Sequence, residues 1–102
     1  MPRILVVDDE ANIRKMLKDV LSDEGYETDT AVTAEEALER LRAQPGVTDA
    51  VLLDLALPGM QGVEALPLLL ALADPPAVVM MSGHGSIETA LKCAKLGAYD
   101  FI

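Results

Sequence analysis

The fold is indicated first by a short stretch near the N-terminus, Ile4-Leu5-Val6-Val7-Asp8-Asp9. Four consecutive apolar residues are typical of a strand that is buried on both faces, as in a parallel sheet. Residues 50–53 and 77–81 form two further runs of this kind, and Asp54 and Ser82 follow them. Side chains that carry oxygen atoms therefore come directly after three of the apolar runs.

Between these runs the apolar residues recur at helical spacing. The first such segment ends at Gly25, and Thr33 with Glu36 has the spacing of a capping box at the start of another helix. Strands are predicted at residues 4–7, 26–31, 50–53, 77–81 and 99–102, and helices with apolar stripes at 13–21, 33–42, 63–73 and 86–96. Pro67 should lie in or near the first turn of the third helix. Alternating strands and helices predict an open parallel α/β sheet.

Composition restricts the class of protein. The 102 residues suffice for a single domain, and 51% of them are hydrophobic, so the chain should fold. A net charge of −9 opposes binding to nucleic acid phosphates. The only cysteine, Cys93, excludes an internal disulfide and is expected to be a packing residue. The longest apolar run, residues 65–73, is half of the roughly 18 residues that a membrane span needs, and the N-terminal run is too short for a signal peptide. A cytoplasmic location without membrane contact is therefore expected.

The polar residues after the strands predict a binding site. Parallel sheets bind ligands at the carboxyl ends of their strands, where Asp8, Asp9, Asp54 and Ser82 should converge. Each of them alone could instead be a helix N-cap, and Asp9 could serve partly as one. As a set they fit that alternative less well, because only one of two adjacent aspartates can be the cap and Asp54 lies far ahead of the next helix.

Three carboxylates at one place repel one another unless a cation lies among them. Mg²⁺ suits such a site, since it accepts a few carboxylates, keeps some waters and takes a phosphate oxygen. Beside Mg²⁺, Asp54 could be a ligand, a base, or a nucleophile that forms an acyl phosphate. The Ser82 hydroxyl could then donate to a phosphoryl oxygen.

Four segments, in order and at matching spacing along the whole chain, resemble the receiver domains of bacterial two-component response regulators. They are Leu5-Val6-Val7-Asp8-Asp9-Glu10, Asp54-Leu55-Ala56-Leu57-Pro58-Gly59-Met60-Gln61-Gly62, Met81-Ser82-Gly83-His84-Gly85 and Gly97-Ala98-Tyr99-Asp100-Phe101-Ile102. The last two look most like the nitrogen-regulation branch, whose receivers precede an ATPase module and a DNA-binding module. The resemblance implies a flavodoxin-like sheet of five parallel strands in the order 2-1-3-4-5, with helices on both faces.

The resemblance also implies roles for individual residues. Asp54 would accept the phosphoryl group from a sensor histidine kinase. Asp9 and Asp54 would bind Mg²⁺ directly together with the backbone carbonyl of Ala56, and Asp8 would act through water.

Further residues would transmit or tune the signal in such a domain. Ser82 would be the switch hydroxyl and Phe101 the switch aromatic, which turns inward when Ser82 moves to the phosphoryl group. Ala56 and His84 would flank the phosphoryl group and tune its lifetime, although His84 fits equally well as a solvated loop histidine.

The chain departs from the family pattern at its end. The family continues with a lysine and a fifth helix beyond the fifth strand, so residues 1–102 are interpreted as one receiver domain truncated at that strand, with the effector domains absent. One face of the sheet should then be half bare, and the chain is expected to self-associate, to be marginally stable and to couple Asp54 poorly to Phe101.

Three functions compete at this point. The first is a phosphoacceptor switch, which is not an enzyme in the usual sense. The second is a Mg²⁺-dependent phosphohydrolase of the haloacid-dehalogenase type, which would need an aspartate two residues after the nucleophile, where this chain has Ala56. The third is a constitutive interaction module that keeps the fold but switches poorly because the C-terminal lysine is absent.

Overall fold

A computed structural model describes residues 1–81 and 87–102, with Ile87 described by its backbone alone. Strands and helices alternate along the chain, as the periodicity predicts. They are β1 (Arg3–Val7), α1 (Ala11–Asp23), β2 (Glu27–Ala31), α2 (Ala34–Ala43), β3 (Ala50–Asp54), α3 (Gly62–Leu70), β4 (Ala77–Met81), α4 (Ile87–Leu96) and β5 (Asp100–Phe101). Within the described ranges, no helix combines the length and the apolar character that a membrane crossing requires.

The strands of the described chain form one parallel sheet in the order β2-β1-β3-β4-β5. The predicted fold class and strand order are therefore confirmed. Because β1 and β3 are neighbours at the centre of the sheet, the segments that follow them lie next to each other at the carboxyl edge. The register also sets Asp54 beside Met81, the last residue of β4.

One side of the sheet, which we name the covered face, is formed by alternate residues of the central strands. Its strand residues are fully buried: Leu5, Val7, Val51, Leu53, Val78 and Met80. Apolar residues of α2 and α3, together with Cys93 of α4, pack on them in one continuous cluster. Burial of Cys93 in this cluster agrees with its expected role in packing.

The opposite side, which we name the α1 face, is formed by Ile4, Val6, Leu52, Val79 and Met81. The helix α1 lies over β1 and β2 on this side, yet none of its residues is fully buried. Its predicted apolar stripe is present, but Met16 is 51% exposed and Val20 is 54% exposed. Of the strand residues on this face, Ile4 and Val6 are buried, whereas Leu52, Val79 and Met81 are partly exposed.

Two helices differ in detail from the sequence prediction. The helix α3 ends at Leu70 rather than at residue 73, and Pro67 is its sixth residue, beyond the first turn. Pro67 is exposed, so its ring lies on the solvent side of the helix. In α4, the helical spacing of Ile87, Ala90, Leu91 and Ala94 predicts that these side chains point inward. Leu91 is instead 58% exposed, because the buried position is Cys93, roughly 200° further around the helix. Ala94, also expected inward, is exposed.

Two strands are shorter than predicted. The strand β2 begins at Glu27 instead of residue 26, and β5 covers Asp100 and Phe101 rather than residues 99–102. Tyr26 and Tyr99 are exposed beyond the strand ends. The predicted start of α4 at Ser86 lies outside the described residues.

Candidate metal and phosphoryl site

The first part of the site is the segment that follows β1. Asp8 is buried, and its backbone N–H donates to the carbonyl of Ala31 at 3.1 Å, which continues the pairing of β1 with β2. Its carboxylate Oδ1 accepts from the backbone N–H of Glu10 at 2.9 Å. Asp9, between them, is exposed. Asp8 is thus anchored to the sheet, and Asp9 is presented at the surface next to it.

The alternative that Asp9 serves partly as a helix cap is wrong. The N-cap residue of α1 is Glu10, and its side chain makes no capping hydrogen bond. At α2 the capping prediction is confirmed, because the Thr33 hydroxyl accepts from the N–H of Glu36 at 3.1 Å. The aspartates after β1 are therefore available for another role.

The second part of the site is the end of β3. Asp54 is the last residue of this strand, and its Oδ1 accepts from the backbone N–H of Ala56 at 3.2 Å. The loop returns to this point, where the Gly62 N–H donates to the carbonyl of Leu55 at 3.0 Å. A Cβ atom at Gly62 would lie only 2.4 Å from the Asp54 carbonyl oxygen, so only glycine allows this close approach. The backbone at Asp54 is consequently packed against the start of α3.

The two parts bring three carboxylates together. One carboxylate oxygen from each of Asp8, Asp9 and Asp54 lies within 4.8 Å of the others. The pKa of Asp54 is raised, first by desolvation and then by the negative charges of Asp8, Asp9 and Glu10, although the Ala56 hydrogen bond lowers it. The predicted convergence of the three aspartates is observed, and their charges oppose one another in the absence of a cation.

The donor set fits a hard divalent cation. It consists of carboxylate oxygens from the segment after β1 and from the end of β3, with burial that falls from Asp8 through Asp54 to Asp9. Ala56, whose carbonyl the resemblance implies as a further ligand, is exposed and lines the same open groove of about 830 Å³. Such a half-open arrangement of oxygens leaves room for waters and for a phosphate oxygen beside a cation. The cluster could therefore hold a metal ion.

Of the four residues that the resemblance assigns to switching or to the phosphoryl lifetime, the structure describes Ala56 and Phe101. Phe101 is half-buried, pairs with Met80 in the sheet and packs against the cluster of the covered face. Ile102, the next residue, lines the groove beside the carboxylates. Ser82 and His84 lie outside the described residues, and Met81, which precedes Ser82, is the strand partner of Asp54.

Sequence reasoning missed two residues that shape the site. The glycines and the proline of residues 57–62 predict a loop, but not that the packing of Gly62 against Asp54 needs the absence of a side chain. Arg14 lies off the predicted apolar stripe of α1, yet its guanidinium Nη1 donates to the carbonyl of Asp8 at 2.9 Å. The signal for Arg14 was its position one turn into a helix that begins beside two aspartates.

Comparison with known proteins adds an independent observation. Residues 4–102 match the family described as the response regulator receiver domain. This chain belongs to the response regulator receiver family. The resemblance noted from the four sequence segments is therefore confirmed, and receiver domains are the phosphoacceptor modules of two-component signalling.

Individual relatives agree with the branch that the sequence suggested. The chain is 43% identical over 101 residues to the nitrogen assimilation regulatory protein NtrX of Azorhizobium caulinodans, with 97% of this chain and 22% of NtrX covered. The chain thus spans about a fifth of the length of this relative. A receiver domain protein from Clostridium thermocellum superposes with a TM-score of 0.93 at 29% identity, covering 100% of this chain and 81% of that one.

A second solved structure is that of a response regulator protein from Burkholderia pseudomallei. Its TM-score is 0.89 at 27% identity, and the match covers 99% of this chain and 58% of that one. That protein contains a phosphorylated aspartic acid, a calcium ion and citrate.

Proposed function

We propose that this receiver accepts a phosphoryl group on Asp54 from the phosphohistidine of a sensor histidine kinase, with Mg²⁺ bound beside it. The observation that carries the proposal is the approach of three carboxylates to within 4.8 Å of one another at the carboxyl edge of the sheet. The phosphorylated aspartate and calcium ion in the related Burkholderia pseudomallei protein support the same chemistry.

The transfer would be one substitution at phosphorus. A carboxylate oxygen of Asp54 attacks the phosphorus atom, the new O–P bond forms as the P–N bond breaks, and the imidazole leaves with the electron pair of that bond. The Ala56 N–H limits rotation of the Asp54 carboxylate by holding Oδ1. Close packing of Gly62 keeps the Asp54 backbone in place during the attack.

We assign the cation to Asp9 and Asp54, with the backbone carbonyl of Ala56 as a further ligand and Asp8 acting through water. When bound, Mg²⁺ would supply charge that offsets the repulsion between the carboxylate and the anionic phosphoryl donor. In this scheme the Asp8 carboxylate is held in place by the Glu10 N–H, which donates to its Oδ1. The pKa of Asp54 is raised first by desolvation and then by the negative charges of Asp8, Asp9 and Glu10, and a bound cation would offset those charges.

Signal transmission would follow from the fold. Ser82, next after the strand partner of Asp54, would donate its hydroxyl to the phosphoryl group, and the half-buried Phe101 would then turn inward. Ala56 and His84 would tune the lifetime of the acyl phosphate. Ala56 also argues against a phosphohydrolase, because a methyl group cannot act as the general acid that such turnover needs.

The proposed setting is that of a one-domain receiver, residues 1–102, within a transcription regulator. Its partners would be the kinase and the effector domains that relatives such as NtrX carry in the four-fifths of their length not matched by this chain. The net charge of −9 disfavours nucleic acid as a direct partner of this domain. We assign it to the cytoplasm, without membrane contact.

Incubation with acetyl phosphate and Mg²⁺, followed by intact-protein mass spectrometry, tests the function. We expect one added phosphoryl group on the wild-type chain and none on Asp54→Asn, which keeps the side-chain shape. Asp19→Asn, an exposed aspartate on α1, is the matched control and should be labelled like the wild type. Rapid release of phosphate would indicate a hydrolase, and an unchanged mass would indicate an interaction module, so either result would contradict the proposal.

A further inference from the structure

We propose that Arg14 is a positioning residue that sets the geometry of the metal-binding aspartates through the Asp8–Asp9 peptide. This inference rests on the proposed function and names a residue outside the carboxylate cluster on which that function depends. Arg14 is the fourth residue of α1 and is half-buried. Its guanidinium reaches back six residues to the carbonyl of Asp8.

The hydrogen bonds around Asp8 and Asp9 show why the bond from Arg14 to the Asp8 carbonyl matters. Asp8 is held at its N–H by Ala31 and at its carboxylate by the N–H of Glu10. No hydrogen bond is found for the Asp9 side chain among residues 1–81 and 87–102. The direction of the Asp9 carboxylate therefore follows from the backbone that carries it.

The Asp8 carbonyl belongs to the peptide unit that carries the N–H of Asp9. Because a peptide unit is planar, a hydrogen bond to its oxygen restricts the orientation of the whole unit, including the start of Asp9. Arg14 is itself held, since its backbone N–H donates to the Glu10 carbonyl at 3.1 Å. Arg14 thus links the first turn of α1 to the peptide that presents Asp9.

Charge and geometry predict opposite signs for the effect of removing Arg14. A cation near three carboxylates lowers the affinity for Mg²⁺, so if Arg14 acted only through its charge, its loss would tighten Mg²⁺ binding. If Arg14 orients Asp9, its loss weakens binding. Partners that orient metal ligands typically contribute about 10- to 100-fold in affinity, and we expect roughly 5- to 10-fold here because Arg14 acts through the backbone of an exposed ligand.

The experiment compares four variants of the chain by titration with Mg²⁺ alone, followed by amide chemical shifts. Arg14→Met keeps an unbranched stem and removes all donors, and Arg14→Gln is a second uncharged variant. Arg14→Lys keeps a charged donor. Lys15→Met is the matched control, because it removes one positive charge from the adjacent, exposed position of α1.

We expect Arg14→Met and Arg14→Gln to raise the Mg²⁺ dissociation constant about 5- to 10-fold, and Arg14→Lys to recover most of the affinity. Lys15→Met should leave the Mg²⁺ dissociation constant unchanged or lower it slightly. In acetyl phosphate labelling, the Mg²⁺ concentration for half-maximal rate should rise by the same factor, while the rate at saturating Mg²⁺ stays at the wild-type value. A merely structural role of Arg14 would not raise the Mg²⁺ requirement while leaving the rate at saturating Mg²⁺ unchanged. Either uncharged variant is sufficient for the test if the other fails to fold.

In one contrary outcome, the uncharged variants bind Mg²⁺ as tightly as the wild type or more tightly, while the wild type binds Mg²⁺ and is labelled on Asp54 as expected. That result would overturn the role of Arg14 and leave the proposed function intact. Equal loss in Arg14→Lys and Arg14→Met would also overturn it, because a retained donor should rescue the geometry. A wild-type chain that binds no Mg²⁺ would overturn both this inference and the proposed function.

Discussion

Leu53 and Asp54 are neighbours in β3, yet they belong to the two faces of the sheet, which differ sharply. Leu53 is fully buried on the covered face, where α2, α3 and α4 pack in one cluster. Asp54 is only partly buried and points to the side of α1, a helix without one fully buried residue. The comparison shows that a single sheet separates a tightly packed core from a more open side, at the edge of which the three carboxylates meet.

The difference has a physical cause. Tight packing fixes the strand positions from one side, and the carboxylates can then approach one another on the other side although they repel. We infer that the covered face supplies the stability against which the acidic site is held. The following predictions test this division.

The largest effect should come from truncating the covered face. Leu53→Ala removes a fully buried side chain and should lower the free energy of unfolding by about 2–5 kcal/mol. Met16→Ala on α1 is the matched control, and about 0.5–1 kcal/mol is expected because its side chain is half exposed. Urea unfolding followed by circular dichroism measures both. Equal losses would show that the two faces are packed alike.

The next effect concerns the junction between the faces. Gly62→Ala places a methyl group 2.4 Å from the Asp54 carbonyl oxygen, so α3 or the end of β3 must shift. Overpacking of this kind costs about 1–3 kcal/mol, and we also expect slower labelling of Asp54 by acetyl phosphate. Gly25→Ala provides a contrast, because its Cβ would meet nothing within 4 Å and only its positive φ resists the change. Normal labelling of Gly62→Ala would show that this packing does not position Asp54.

Neutralising Asp54 should have a smaller effect of opposite sign. Its pKa is raised in the folded protein, so the folded state holds the proton more tightly than the unfolded chain. The contribution of this proton to the free energy of unfolding is complete below the ordinary aspartate pKa. It is lost as the pH rises through the pKa of Asp54 in the folded protein. Above that pKa, ionised Asp54 opposes folding. Asp54→Asn should therefore raise the melting temperature at neutral pH without metal, by a small amount because the partly exposed carboxylate is screened by solvent.

The difference between Asp54→Asn and the wild type should vanish in acid below the ordinary aspartate pKa. Added Mg²⁺ should stabilise the wild type more than the variant, because the variant lacks one ligand. Differential scanning calorimetry across pH measures both effects. A variant that is less stable than the wild type at neutral pH would show that desolvation and repulsion of the ionised Asp54 carboxylate do not oppose folding.

The smallest effect on stability should come from the outer surface of the α1 face. Val20→Lys should change the free energy of unfolding by no more than about 0.5 kcal/mol, because the side chain is more than half exposed. The exposed apolar side chains of Met16, Val20 and Ile102 should nevertheless let the 102-residue chain associate, and Val20→Lys should shift it toward monomer. Size-exclusion chromatography with light scattering measures this. A wild-type chain that stays monomeric at high concentration would contradict the expectation.

Much of the fold could be predicted because the local signals agree with one another. The apolar runs before Asp8 and Asp54 and the capping residues at Thr33 each have a local physical cause, and the strands and helices appear in the predicted order. The errors fall where packing overrides periodicity. Leu91 has helical spacing for an inward position, yet α4 meets the sheet through Cys93.

The sequence by itself determined that the aspartates converge, because acidic side chains that follow buried parallel strands must meet at one edge of the sheet. Only the tertiary structure decided how that edge is held. The contact of Arg14 with the Asp8 carbonyl and the close approach of Gly62 to Asp54 join segments that are separate in the chain. Such contacts depend on the angle at which a helix packs on the sheet, and no local pattern of residues specifies that angle.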